Sequence, residues 1–191
     1  RENDLSPSIE ADKKILIRRL YFDLLGLPPS ENDMDSFLKD TSKNAYEKLV
    51  DKLLDSPQYG ERWGRHWMDT SRYSDTTGTV NVNQEPRYTY SYTYRDYVIR
   101  AFNEDLPFDR FIKEQIAADR LTDIKKENLA ALGFLTLGKN SNNNNDVIDD
   151  RIDVIFKGFM ATTVVCARCH DHKFDPISTK DYYAIHGILN S

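Results

Sequence analysis

The chain has 191 residues, 39% hydrophobic, 12% aromatic and 30% charged, with a formal net charge of −5; that length suits one well-packed domain, and the composition fits a globular protein rather than a disordered or membrane one. The negative balance argues against a nucleic-acid partner, because phosphates attract basic surfaces. No apolar run approaches the roughly 18 residues a membrane helix needs, so no transmembrane segment is expected.

In chain order, the first predicted helix covers Ala11 to Leu25, where Ile17, Leu20, Tyr21, Leu24 and Leu25 recur at three-four spacing before Gly26, Pro28 and Pro29. A short second helix runs from Ser30 to about Lys39. A third, from Ser42, buries Tyr46, Leu49, Val50, Leu53 and Leu54, and Ser56 caps a fourth with Pro57 at its first position. From Thr76 to Thr93 the periodicity vanishes into an ordered Tyr/Thr-rich loop punctuated by Gly78, Asn81, Asn83 and Pro86, with room for a short hairpin. Helices resume over Tyr94 to Asn103, Pro107 to Asp119 and, briefly, Glu127 to Leu137. The Asn142 to Asn145 run reads as a polar surface loop. A long last helix from Asp146 carries Ile148, Ile152, Ile155, Phe156, Phe159 and Met160 toward Cys166, and Ser178 or Thr179 caps a terminal helix.

Cys166-Ala167-Arg168-Cys169-His170 is C-x-x-C-H, the attachment signature of c-type haem. Two thiols at this spacing reach the two vinyl groups of one porphyrin edge, and the adjoining imidazole falls under the iron as proximal ligand. The apolar face of the preceding helix would wall a flat ring. Three other readings stay open: a thioredoxin-like thiol pair, a zinc site recruiting Cys166, Cys169, His170 and His172 with His66 or His186 from afar, and an unreactive structural pair.

For the sixth iron position His66 is the most suggestive, because Trp63, His66, Trp67, Thr70 and Tyr73 share one helical face. Its bland counterpart is a hydrogen-bonded histidine on an aromatic face. His172 is too near the proximal ligand to reach the opposite haem face; it fixes the local turn or bonds a propionate. His186 reads as a surface residue, and Met68 and Met160 as core fillers. A five-coordinate iron, open to substrate, is the other arrangement. Arg62, Arg65, Arg168 and Lys173 are candidate partners for the propionates. Asp69, Asp75, Asp96 and Asp109 are too dispersed in sequence for spacing alone to unite them around a hydroxyl-bearing substrate.

Several segments together resemble a known family, the planctomycete-type cytochrome domain PSCyt2 (DUF1549). They are Leu25-Gly26-Leu27-Pro28-Pro29, Tyr59-Gly60-Glu61-Arg62-Trp63 through His66-Trp67, Asp69 with Arg72-Tyr73 and Asp75, Tyr94-Arg95-Asp96 and Val98-Ile99 with Ala101-Phe102-Asn103, and Cys166 through Ile177 followed by Lys180-Asp181-Tyr182-Tyr183. The departures are Ser71 and Ser74, where alanines are expected, and the Asn-rich loop. The resemblance implies an exported haem-c domain, excised from a longer multidomain protein and acting in the oxidative processing of carbohydrate. It also favours His66 as distal ligand or catalytic group.

The expectations are therefore a mainly α chain, an irregular single-domain bundle of about seven helices over residues 1–191 with a long Tyr/Thr-rich loop, wrapping one covalent haem c. Cys166, Cys169, His170, Trp63, Trp67 and Arg168 bind the cofactor, with His170 and His66 on the iron. The expected activity is electron transfer with a redox partner protein or neighbouring domain, in the periplasm or otherwise exported; a start at Arg1-Glu2-Asn3-Asp4 reads as a mature or excised form. Two alternatives accompany it: a haem-dependent oxidoreductase acting directly on a sugar, with His66, Arg72, Tyr73 and Asp75 as catalytic candidates, and a haem-free structural or carbohydrate-binding module with a disulfide or zinc clamp.

Overall fold

The computed structural model describes residues 8–76, 87–138 and 141–191; the loop positions Gly78, Asn81, Asn83 and Pro86 lie outside the described residues. The described residues are mainly helical. They form nine α-helices: α1 (Lys13–Leu24), α2 (Glu31–Lys39), α3 (Ala45–Leu54), α4 (Pro57–Thr70), α5 (Ser91–Asn103), α6 (Phe108–Ala117), α7 (Gly133–Thr136), α8 (Asn144–Met160) and α9 (Thr179–Leu189). Short 3-10 segments stand at Ala118–Arg120, Lys126–Leu132 and Val165–Arg168. The count exceeds the expected figure of about seven, although each of the nine overlaps a segment read as helical in the sequence. Among the described residues the β-pairing is one isolated antiparallel bridge, Thr76 with Arg87, which closes the ends of the Tyr/Thr-rich stretch. No described helix is long and apolar enough to cross a membrane.

The chain divides into two compact units, Arg1–Trp63 and Gly64–Ser191. In the first, the predicted stripe of α1 buries Ile17 and Tyr21 against Phe37 of α2 and Ala45, Leu49 and Leu53 of α3. Asp12 caps α1 by accepting from the Ile15 amide. Gly26 follows the helix at φ 72°, the left-handed region that glycine enters without steric cost. Asp33 knits this unit: its carboxylate takes the Ser30 hydroxyl at 2.6 Å and the Lys52 ammonium of α3 at 2.6 Å. These bonds hold its pKa down at about 2.

The second unit is organised by α8, whose apolar residues serve two different cores. Val154, Ile155 and Phe159 join an aromatic core with Trp67, Tyr94, Tyr97, Phe111 and Phe134. Ile148, Ile152 and Phe156 join a smaller one with Val164, Ala167 and Tyr182. The expected helical wall for a porphyrin is therefore occupied by protein packing, and of the apolar residues read on that helix only Met160 is largely exposed, at 60%. The helix also starts earlier than predicted, at Asn144, since Asn143 accepts from the Asn145 amide as N-cap. Two of the supposed loop asparagines thus form its first turn, because asparagine suits a helix start better than a helix interior.

Candidate functional site

Helix α8 does not run into the cysteine motif. It stops at Ala161, which adopts φ 51°, and an irregular segment leads to the 3-10 turn Val165–Arg168. Ala167, fully buried, anchors that turn in the smaller core. Cys166 lies within the 3-10 turn and Cys169 follows it as the C-cap residue, three positions on. Both thiols are free and exposed. The Cys169 and His170 amides donate to the Cys166 carbonyl at 3.2 and 3.3 Å, which closes the motif on itself.

His170 is exposed, and its Nδ1 lies 2.9 Å from the Asp171 carbonyl oxygen. A carbonyl only accepts, so this contact places the proton on Nδ1 and leaves the Nε2 lone pair for a metal. His172 fixes the local turn, as one of its two readings held: its Nδ1 accepts from the Asp175 amide at 2.9 Å, and its own amide donates to the Ile177 carbonyl at 2.8 Å. Asp171 accepts from the Thr179 amide at 2.8 Å, tying the loop to the start of α9.

Arg168 turns toward α8. Its Nη1 lies 3.5 Å from Asp146 and 3.6 Å from Asp149, while its carbonyl accepts the Tyr183 hydroxyl at 3.1 Å. Asp149 also accepts the Tyr182 hydroxyl at 2.5 Å; burial first, and then that carboxylate, raise the Tyr182 pKa. Arg168 thus bolts the turn to α8 and α9 rather than reaching outward. His186 sits 3.2 Å from the Asn145 side-chain oxygen.

The remaining candidates have surroundings of their own. Trp67 is a core residue: its indole N–H donates to the Tyr94 hydroxyl at 3.1 Å, and its ring packs 5.0 Å from Phe111 and 5.5 Å from Phe159. Trp63 belongs to the first unit, 6.2 Å from the Tyr59 ring. His66 is exposed on α4, with its carbonyl accepting from Thr70. Among the described residues no three His, Cys, Asp or Glu side chains converge on a metal position. Arg65 pairs with Asp69, Arg95 with Asp96 and Lys113 with Asp109, so those carboxylates do not form a shared site.

Arg72, Tyr73 and Asp75 meet partners that sequence reasoning missed. The Tyr73 hydroxyl donates to Asp75 Oδ1 at 2.6 Å, and Ser91 donates to the same oxygen at 3.0 Å. These two bonds, Tyr73 first, hold the Asp75 pKa below its ordinary value, while burial raises that of Tyr73. Arg72 pairs with Asp150 of α8 at 2.7 Å. The first turn of α5 borders an open cleft of about 530 Å³ lined by Tyr88, Ser91, Tyr94, Gly133 and Thr136. A sequence signal for this grouping existed only in part, since Ser91 and Asp150 sit far along the chain from α4.

Neither a curated protein nor a solved structure matches the chain. The family model that does match is PSCyt2, described as a protein of unknown function (DUF1549), and it covers residues 1–191. Over its whole length the chain therefore belongs to the PSCyt2 (DUF1549) family.

Proposed function

We propose that the chain is a mono-haem c-type cytochrome domain of an exported protein, passing electrons to or from a redox partner in the oxidative processing of carbohydrate. The observation that carries this reading is the presentation of Cys166, Cys169 and His170: two free, exposed thiols at a 3-10 turn, beside an imidazole whose Nδ1 is held by the Asp171 carbonyl at 2.9 Å. The donor set fits the group. Cys166 and Cys169 would hold the group through their thiols, and His170 would offer Nε2 to the iron. Exposed apolar side chains flank the motif in the chain, with Met160 at 60%, Val165 at 37% and Phe174 at 83%, and are suited to cover a macrocycle. When bound, haem c supplies a one-electron iron couple.

The residues around the motif hold it for that role. Ala167 anchors the turn, Arg168 and Tyr183 fasten it to its neighbours, and the His172 loop keeps His170 at its rim. His66 is the second residue proposed to hold the iron.

The direct test is intact mass together with a pyridine haemochrome spectrum on protein matured in an exporting host. One added haem, lost in Cys166→Ala and Cys169→Ala, is the expected result; no added mass overturns the reading, and loss of two hydrogens in its place assigns a disulfide. The Tyr73–Asp75–Ser91 network favours a second reading, an oxidoreductase acting directly on a sugar. A low-spin spectrum insensitive to carbon monoxide or cyanide selects the carrier, and a high-spin, ligand-binding iron selects the enzyme.

A further inference from the structure

Three tyrosines of the second unit stack in a row. The Tyr73 and Tyr94 rings are 6.4 Å apart at 24°, and the Tyr94 and Tyr97 rings 6.4 Å apart at 25°. Their hydroxyls end on chemically different partners. At the outer positions Tyr73 donates to the Asp75 carboxylate at 2.6 Å and Tyr97 to the Glu114 carboxylate at 3.1 Å. In the middle Tyr94 donates to the Gln115 amide oxygen at 2.8 Å and accepts from the Trp67 indole.

That difference matters for oxidation. A phenol that loses an electron becomes a strong acid, so its oxidation is easy only where a base takes the proton at once. A carboxylate within hydrogen-bond reach does this; a neutral amide does not. The outer tyrosines are therefore sinks for an oxidising equivalent, and Tyr94 with Trp67 is the bridge between and beside them.

We propose that Trp67, Tyr94, Tyr73 and Tyr97 form a relay for oxidising equivalents, with Tyr73 and its base Asp75 as the principal terminus. A one-electron oxidant such as a ruthenium(III) polypyridyl complex or a peroxyl radical takes one electron from the relay and is reduced by one unit. The Tyr73 O–H bond breaks, its proton passes to Asp75, and a neutral phenoxyl radical remains; re-reduction returns electron and proton. Tyr73 outranks Tyr97 because its hydroxyl lies 2.6 Å from the Asp75 carboxylate, whereas that of Tyr97 lies 3.1 Å from Glu114, a carboxylate shared with the Arg110 guanidinium at 2.7 Å and with Asn128 at 3.2 Å. The Trp67 ring lies 5.5 Å from Phe159, next to the last residue of α8, so the relay abuts the helix that precedes the cysteine motif. The proposal does not require haem.

Purely structural tyrosines, hydrogen-bonded because they are enclosed, give a different outcome. Photo-oxidation of the full chain with ruthenium tris-bipyridine and persulfate, followed by electron paramagnetic resonance, tests the point. The expected result is a tyrosyl signal that outlasts the radicals of exposed tyrosines, survives in Tyr46→Phe with Tyr90→Phe, and is lost in Tyr73→Phe with Tyr97→Phe. Asp75→Asn, which keeps the side-chain volume, is expected to slow radical formation and to remove most of its slowing in deuterium oxide; this measurement stands should the double variant fail to fold. A long-lived signal unchanged in the double variant overturns the relay, and so does an Asp75→Asn rate equal to that of the parent.

Discussion

Arg72 shows how much a single position can carry. It follows α4 in the left-handed region at φ 60°, its amide donating to the Asp69 carbonyl while the Tyr73 amide donates to the Met68 carbonyl. These paired bonds are the helix-ending motif in which that residue is usually glycine. An arginine there accepts backbone strain, and what it gains is the pair with Asp150, 78 residues away in sequence. Gly138 completes the arrangement, because a Cβ at that position would overlap Arg72 Nη2 and Asp150 Oδ2. Gly138→Ala is accordingly expected to destabilise the second unit by about 1–3 kcal/mol, measured as a lowered midpoint in urea. A midpoint within error of the parent would show that the pair yields without cost. Arg72, Tyr73 and Asp75 were legible as a polar cluster, whereas their partners Asp150 and Ser91 were not, since no local pattern links residues so distant in the chain.

Among the elements, the clearest local logic is that of α9. Ser178 accepts from the Asp181 amide at 3.2 Å, and Asp181 accepts in return from the Ser178 amide at 2.9 Å, a complete capping box. The cap lies at the end of the loop that leaves the cysteine motif, so it orders both. Ser178→Ala is expected to cost about 1 kcal/mol, with faster hydrogen exchange in the first turn of α9 and around His172; exchange unchanged at both places would separate the cap from the motif loop. Helix α8 shows the opposite case. Its apolar residues were legible as helical, but their division between two cores was not, because periodicity reports that a face is buried and not what covers it. The same limit explains Trp67, which shares a helical face with His66 in the sequence yet turns into the aromatic core.

At the scale of the whole molecule, acid sensitivity has an identifiable source in the first unit. Asp33 is held at about 2, against an ordinary value of 3.8, chiefly by Lys52 and Ser30. A carboxylate whose folded pKa is depressed stabilises the fold fully above its ordinary value and loses that contribution as pH falls toward the folded one. Thermal stability is therefore expected to fall as pH drops from 3.8 to about 2, and Asp33→Asn should be less stable at neutral pH yet shallower across that acid window. An identical acid slope in the variant would assign the loss to other groups. The sequence by itself determined the mainly helical content, most helix starts and stops, the family and the C-x-x-C-H spacing, because each rests on short-range periodicity, capping or residue order. Only the tertiary structure decided that the motif rides on a separate 3-10 turn, that Arg168 faces α8, and that Tyr73, Asp75 and Ser91 meet. Those outcomes depend on which buried faces find each other across long stretches of chain, and the free energy of that choice is written in packing rather than in local pattern.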